Sequence, residues 1–147
     1  MVNIKLITVG KLKESFFKDA CAEYEKRLGG YCTFKCIEIP ESSLEKEADA
    51  VIKYLGKGAC VIALCVEGKQ LSSEELARLM TDRTLGGVSE FDFIIGGSTG
   101  MHEKLKSMAD YRISFSRMTF PHHLFRVMLL EQIYRSFKIN EGSSYHK

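Results

Sequence analysis

Residues 91–126, FDFIIGGSTGMHEKLKSMADYRISFSRMTFPHHLFR, contain the pattern that decides the fold. A short apolar run ends abruptly at Gly96, which predicts a buried strand rather than a helix. A second apolar segment, residues 111–115, leads through a polar loop into a helix that begins with His122. In an open parallel sheet, ligands bind just beyond the carboxyl ends of strands. The sequence therefore predicts the functional site here, where two strand ends meet the start of a helix.

Outward from this segment, strands and helices alternate along the whole chain. Glycines and prolines separate the periodic stretches, and Ser72 with Glu75 three residues later predicts a capping box at the start of a helix. The further predicted strands cover residues 4–9, 34–39 and 60–66, and the predicted helices cover residues 14–28, 43–55, 72–85, 101–109 and 122–138. A chain of 147 residues with this alternation predicts a single-domain α/β fold with a mostly parallel sheet flanked by helices.

Composition narrows the class of protein. The apolar share of 45% and the charged share of 27% are typical of a soluble globular domain. No apolar run approaches the roughly 18 residues of a membrane span, and the N-terminus lacks a signal peptide, so we expect a cytoplasmic protein without a membrane partner. Five cysteines without a CxxC pair, and histidines without HExxH spacing, predict no metal site.

Charge and apolar pattern both single out the C-terminal third. Residues 101–147 contain eight Lys and Arg, four Asp and Glu, and all four histidines, which fits a surface for a polyanion such as RNA. Chance explains so small an imbalance equally well. The last helix is apolar around most of its circumference, so both of its sides should be buried. We therefore expect a homodimer, with a second subunit covering one side.

Four further features carry candidate chemistry. The glycines of residues 96–100 match neither the P-loop nor the GxGxxG spacing, so they form either a tight turn or a ligand site. Glu67-Gly68-Lys69 predicts a second glycine turn after the neighbouring strand. His122 lies at a helix N-terminus, where the dipole favours the neutral imidazole, whereas His123 fits a surface helix cap better. The tail contains Tyr145 and His146, which are able to stack on a base and exchange a proton. These residues alone indicate a domain that binds a nucleotide-like small molecule.

Five motifs in order then resemble one known family. IKLITVGKLKESFFKDACAEYEKRL, IALCVEGKQLSSEELA, FIIGGSTG, ISFSRMTFPHHLFRVMLLEQIYRSFKI and the terminal YHK resemble the RlmH family of SPOUT-class methyltransferases. The resemblance implies transfer of a methyl group from S-adenosylmethionine to N3 of a pseudouridine in 23S ribosomal RNA of the large subunit. It also implies a homodimer and a C-terminal trefoil knot, which local patterning would exclude by default.

The resemblance also implies roles for particular residues. It places cofactor contacts on Leu64, Gly96, Phe115, Ser116, Arg117, Met118, Thr119 and Phe120. For the chemistry, we expect His122 or His146 to act as the base and Tyr145 to stack on the target. Arg126 is expected to hold phosphate or developing charge. Two alternatives stay open: a SPOUT enzyme acting on a different RNA nucleotide, and a binding module without catalysis, although the Tyr-His tail argues against the second.

Overall fold

Strands and helices alternate without interruption in the computed structural model, which describes residues 1–147. The elements are β1 (Val2–Val9), α1 (Ser15–Leu28), β2 (Cys32–Ile39), α2 (Leu44–Tyr54), β3 (Cys60–Gln70), α3 (Ser73–Leu85), β4 (Glu90–Ile95), α4 (Glu103–Met108), β5 (Tyr111–Ser114) and α5 (His122–Asn140). Every strand and helix expected from the sequence is present, with ends that shift by a few residues. The predicted α/β class is confirmed.

One five-stranded sheet forms the centre of the molecule, in the order β2-β1-β4-β3-β5. All four pairings are parallel. Since β4 is inserted between β1 and β3, three inner strands have a neighbour on each side. The nearly continuous apolar run of β3, residues 60–66, is explained by helices on both faces of the sheet. Parallel pairing also brings the carboxyl ends of β3, β4 and β5 to the same edge, where a ligand site is expected.

Helices cover both faces of the sheet, and each face has its own apolar core. The larger core joins the sheet to α1, α3 and α5 through residues such as Leu28, Leu76 and Leu129. The smaller core joins the opposite face to α2 and α4 through residues such as Val51 and Leu105. The helix α5 packs against both α1 and α3. This packing fixes the N-terminal end of α5 beside the carboxyl ends of the inner strands.

The predicted capping box is confirmed at the start of α3. The backbone N–H of Glu75 donates to Ser72 Oγ at 3.0 Å, and the backbone N–H of Ser72 donates to Glu75 Oε1 at 2.8 Å. Both N–H groups would otherwise lack an intrahelical acceptor, so this exchange fixes where α3 begins.

The prediction of a turn at Gly68 is wrong. β3 continues to Gln70, and its pairing with β5 shifts register between Leu64 and Lys69, so Gly68 lies in a bulge inside the strand. A Cβ on Gly68 would lie 2.8 Å from backbone atoms of Arg112 and Ile113. Only glycine permits this close approach of two strands. The apolar pattern stops at Val66, so the sequence predicted that the strand ends there.

None of the helices is both long enough and apolar enough to cross a membrane. No group of three or more His, Cys, Asp or Glu side chains lies together in a way that could hold a metal ion. The trefoil knot implied by the resemblance stays a prediction.

Candidate functional site

A cavity of about 260 Å³ opens at the carboxyl ends of β3, β4 and β5. Three chain segments form most of its wall: residues 64–67, residues 95–101 and residues 113–120. The side chains of His122 and Phe125 on α5 close one side. Half of the twenty lining residues are apolar, and a few polar groups interrupt them, as is typical of pockets for organic ligands.

The structure brings most of the cofactor candidates to this cavity. Those that line it are Leu64, Gly96, Phe115, Ser116, Met118, Thr119 and Phe120. Arg117, in the same loop, does not line it and is exposed to solvent. These positions satisfy the geometric requirement for a shared ligand, and the contacts themselves stay a prediction. We call this cavity the cofactor cavity after that prediction.

The glycines after β4 form a tight turn that is also a wall of the cavity. The Gly100 N–H donates to the Gly97 carbonyl at 3.0 Å, and Gly100 has a φ of +95°, which L side chains rarely adopt. A Cβ on Gly96 would lie 2.6 Å from the Gly100 oxygen. The two interpretations left open for these glycines, turn and ligand site, are therefore compatible in one structure.

The loop from β5 to α5 is held by its own serines and by aromatic packing. Ser114 Oγ donates to the Ser116 carbonyl at 2.8 Å, and the Met118 N–H donates to Ser116 Oγ at 3.0 Å. The ring of Phe125 packs on Phe115 at 4.7 Å and on Phe120 at 6.3 Å between centroids. Both ends of the loop are thus tied to α5.

His122 lies at the cavity wall in an environment that favours its neutral form. Burial lowers its pKa, the adjacent His123 and Arg126 lower it too, and Glu41 and Glu14 act in the opposite direction. The two histidine rings are 4.3 Å apart between centroids. A neutral imidazole is able to accept a proton from a group inside the cavity. The sequence predicted the neutral form from the helix dipole, whereas burial is the larger cause here.

His123 points away from the cavity towards α1. Its Nδ1 lies 3.1 Å from Glu14 Oε2, so it joins the start of α5 to the residue that precedes α1. The N-cap position of α5 is Pro121, and no side chain caps the helix. The prediction that His123 serves as a surface helix cap is therefore wrong.

Arg126 lies outside the cofactor cavity. Its side chain is 5% exposed, its Nη1 donates to Glu38 Oε2 at 2.8 Å, and its Nη2 donates to the Gly10 carbonyl at 3.3 Å. It lines a different cavity, between α1, α5 and the end of β2. The carboxylate of Glu38 already pairs with its guanidinium in this chain, and the expectation that Arg126 holds phosphate or developing charge stays a prediction.

Tyr145 and His146 also lie outside the cofactor cavity of their own chain, yet they are held firmly. Tyr145 Oη donates to Glu131 Oε2 at 2.7 Å, and its ring packs edge-on against Tyr134. His146 contacts Arg135 Nη1 through Nδ1 at 3.0 Å and Glu74 through Nε2. Because Arg135 also binds Glu131, the tail and α5 form one hydrogen-bonded network.

Sequence reasoning missed Glu131 and Arg135 as parts of this network. The available signal was their i,i+4 spacing on a helix that is otherwise mostly apolar. Charged side chains on an apolar helix usually have a specific partner. Here the partners are Tyr145 and His146 of the tail.

The fold and the cavity define an α/β domain with its ligand site at the carboxyl ends of parallel strands. A family profile described as "Predicted SPOUT methyltransferase" matches residues 2–146. The chain belongs to the SPOUT methyltransferase family.

Relatives and solved structures agree with this assignment. The chain is 49% identical to the ribosomal RNA large subunit methyltransferase H of Bifidobacterium adolescentis and 48% identical to that of Streptococcus uberis, covering 99% of this chain and 100% of each relative. Its fold is similar to a probable methylase family protein from Haemophilus influenzae, with a TM-score of 0.58 at 7% identity over 98% of this chain and 70% of that chain. The SpoU methyltransferase AviRb from Streptomyces viridochromogenes, solved with the cofactor AdoMet, has a TM-score of 0.50 at 6% identity over 97% of this chain and 61% of that chain.

Proposed function

We propose that this protein transfers a methyl group from S-adenosylmethionine to N3 of a pseudouridine in 23S ribosomal RNA. The observation that carries the proposal is the single cavity built by residues 64–67, 95–101 and 113–120 at the strand ends, in a chain of the SPOUT methyltransferase family. The names of the full-length relatives supply the class of substrate, a large-subunit ribosomal RNA. The RlmH resemblance supplies the nucleotide and its position.

The lining of the cavity fits the proposed cofactor. Its apolar floor, including Leu64 and Phe115, suits the adenine ring. The backbone of residues 115–120 offers main-chain groups that can hydrogen-bond the edge of the adenine ring. Gly96 has no side chain, so it lets the cofactor approach the backbone closely. When bound there, S-adenosylmethionine supplies an electrophilic methyl group on a positively charged sulfur. The chain's own residues have to orient the target and accept its proton.

The target nitrogen carries a proton that has to leave before or during methylation, and we assign His122 as the group that accepts it. The imidazole lines the cavity, and burial keeps it in the form that accepts protons. His146 is the second candidate for this role, with Tyr145 stacking on the target base. We assign Arg126 a positioning role instead, because it ties α5 to the ends of β1 and β2.

A homodimer completes this proposal. Tyr145 and His146 do not line the cofactor cavity of their own chain and are bound instead to Glu131, Arg135 and Glu74, so we infer that they act on a methyl donor presented by a second copy. A dimer related by a twofold axis would place each tail against the partner's cavity. We further propose that the substrate is the RNA within the assembled ribosome in the cytoplasm. With a net charge of only +2, the protein has little surface for binding free RNA through phosphates alone.

Tryptophan substitution in one loop tests the cofactor site. The chain has no Trp, so Thr119→Trp both occludes the rim of the cavity and introduces a fluorophore. Arg117→Trp places the same ring two residues away, outside the cavity. We expect calorimetric titration with S-adenosylmethionine to show binding by the wild type and Arg117→Trp, and a loss of at least about tenfold in affinity for Thr119→Trp. Equal binding by all three proteins would refute the assigned site.

Mass analysis of treated ribosomes then tests the reaction. Ribosomes from a strain without the enzyme should gain one methyl group, at the predicted pseudouridine, after incubation with the protein and S-adenosylmethionine. Methylation of another nucleotide would favour the alternative SPOUT specificity, and no methylation with intact cofactor binding would favour a binding module.

A further inference from the structure

A second cavity of about 310 Å³ lies next to the cofactor cavity, on the other side of the loop between β5 and α5. The two cavities share Ile113, Phe115 and Phe120 as a common wall. The start of α3 and one face of α5 complete the second cavity. We name it the α3–α5 cavity.

The α3–α5 cavity has an apolar interior and a single polar end. Phe115, Phe120, Leu76 and Met128 supply rings, a branched chain and a thioether, and no Lys or Arg lines it. A phosphate would have no cation to pair with here. The interior suits an uncharged flat ring that presents polar atoms on one edge.

The polar end consists of Ser73, Gln132 and Glu131, which are already linked. Ser73 Oγ donates to Gln132 Oε1 at 2.7 Å, and Gln132 Nε2 donates to Glu131 Oε1 at 3.2 Å. The link to Ser73 fixes the orientation of the Gln132 amide, because its oxygen accepts a hydrogen bond. The amide nitrogen has two hydrogens and uses one of them, so the second is free to donate to a carbonyl oxygen in the cavity.

The chemically active tail is fastened to this same polar end. Tyr145 is bonded to Glu131, and His146 is bonded to Glu74, the neighbour of Ser73. One carboxylate therefore connects the amide inside the cavity with the tyrosine of the tail. The arrangement holds Tyr145 and His146 at the cavity rather than free in solvent.

We propose that the α3–α5 cavity receives the base to be methylated, a uracil-type ring turned out of its RNA strand. This proposal rests on the function proposed above and extends it to the site of the substrate. Enzymes that modify a base inside folded RNA extrude it into a pocket, stack it on aromatic side chains and read its polar edge with hydrogen bonds. Phe115 and Phe120 provide the stacking surface, and the Gln132 amide donates to a ring carbonyl. Glu131 and Gln132 are base-positioning residues.

Methionine methyl NMR tests the occupant directly. Met128 lines the α3–α5 cavity, whereas Met118 lines the cofactor cavity, so each methyl signal reports on one cavity. In protein labelled with ¹³C at the methionine methyls, we expect uridine or pseudouridine at millimolar concentration to move the Met128 signal. Cytidine should move it less, because an amino group replaces the carbonyl that the Gln132 amide would meet. S-adenosylmethionine should move the Met118 signal.

Two matched variants separate base binding from helix packing. Gln132→Leu removes the amide at nearly constant volume. Asn140→Leu removes another hydrogen bond between α5 and α3, from Asn140 Nδ2 to the Ala77 carbonyl at 3.1 Å, outside the cavity. We expect Gln132→Leu to lose the uridine response and at least about tenfold in kcat/KM for ribosome methylation, with unchanged affinity for S-adenosylmethionine. Asn140→Leu should retain both properties.

Three results would overturn the proposal. The first is a Met128 signal that follows S-adenosylmethionine instead of uridine, which would assign the cavity to the cofactor. The second is a Met128 signal that responds to neither ligand. The third is wild-type kcat/KM in Gln132→Leu. A uridine response at Met128 in a protein that fails to bind S-adenosylmethionine would instead refute the proposed function while supporting the base site.

Discussion

His122 is the residue whose protonation state should govern the pH dependence of the reaction. Its pKa is lowered from the ordinary value of 6.5, first by burial and then by the adjacent His123. A base has to be unprotonated to act, and a lowered pKa keeps it so at slightly acidic pH.

We therefore expect the rate of methylation to fall as the pH decreases, with a midpoint below pH 6.5. Glu41 stabilises the imidazolium, so Glu41→Gln should move the fall to still lower pH. His122→Gln should reduce kcat by about 10²–10⁴-fold, the usual contribution of a general base, and should leave cofactor affinity unchanged. Rates measured from pH 5 to 8, with an NMR titration of the His122 ring, check this. A midpoint at or above pH 6.5 would argue against His122 as the base.

A second residue-scale prediction concerns Asp92, which is fully buried in the middle of β4. Burial, helped by a hydrogen bond with Glu90, raises its pKa from 3.8 to about 7. The folded protein therefore binds more protons than the unfolded chain between pH 4 and pH 7, and this group makes stability fall as pH rises through that window. The pKa of Glu90 is lowered, so this second carboxyl makes stability rise with pH, in the range below its ordinary pKa of 4.5.

Asp92→Asn mimics the protonated side chain and can still accept from the Gly56 N–H, which lies 2.8 Å from Asp92 Oδ2. We expect the variant to exceed the wild type in stability at pH 8 by about 1–3 kcal/mol and to match it near pH 4, at the lower end of the window. Urea denaturation at both pH values, with exposed Asp82→Asn as the control, measures the difference. Equal destabilisation of Asp92→Asn at both pH values would contradict the raised pKa of Asp92.

At the scale of elements, the bulge in β3 connects the fold to the site. Leu64, just before the bulge, and Glu67, within it, both line the cofactor cavity. Gly68→Ala should therefore lower stability by about 2 kcal/mol or more and weaken S-adenosylmethionine binding, since its Cβ would meet the backbone of β5 at 2.8 Å. Gly30→Ala is the matched control, with its nearest contact at 3.9 Å. Thermal unfolding and calorimetric titration of both variants provide the measurement. Similar losses in the two would show that the bulge has no special role.

The elements themselves could be predicted because their signals are local. Apolar runs, glycine stops and the Ser72–Glu75 capping box lie within a few residues of the structure they specify. The bulge at Gly68 could not be predicted, because its cause is the backbone of β5 more than forty residues later. The strand order has the same origin, since it depends on which buried faces meet and not on any one stretch.

The site residues also divide into those with local sequence signals and those whose place depends on distant parts of the chain. The cofactor candidates at strand ends could be located from the apolar runs that stop there, and the structure gathers all but Arg117 in one cavity. Arg126 could not be placed, because Glu38 and Gly10, its partners, precede it by 88 and 116 positions. The attachment of the tail to Glu131 and Glu74 likewise depends on how α3 and α5 pack.

At the scale of the whole molecule, the two halves of the proposed chemistry lie at different cavities of one chain. The cofactor cavity contains no tail residue, and the tail is fixed at the α3–α5 cavity. A homodimer in which each tail and its base site face the partner's cofactor resolves this separation. We expect the protein to sediment at twice its chain mass of 16.6 kDa. A monomer at working concentration would remove this explanation.

Subunit complementation tests the division of labour more sharply. Thr119→Trp disables the cofactor cavity, and His146→Ala disables the tail, so each variant alone should be inactive. In a mixed dimer, one of the two sites combines the intact cavity of the His146→Ala chain with the intact tail of the Thr119→Trp chain. Random reassembly of equal amounts yields about half mixed dimers, so about a quarter of the wild-type activity should return. Gln132→Leu should also complement Thr119→Trp, but it should not complement His146→Ala, because the base site and the tail belong to the same chain. If Gln132→Leu complements His146→Ala instead of Thr119→Trp, the base site belongs to the chain that holds the cofactor. No recovery with any pair would mean that each chain works alone.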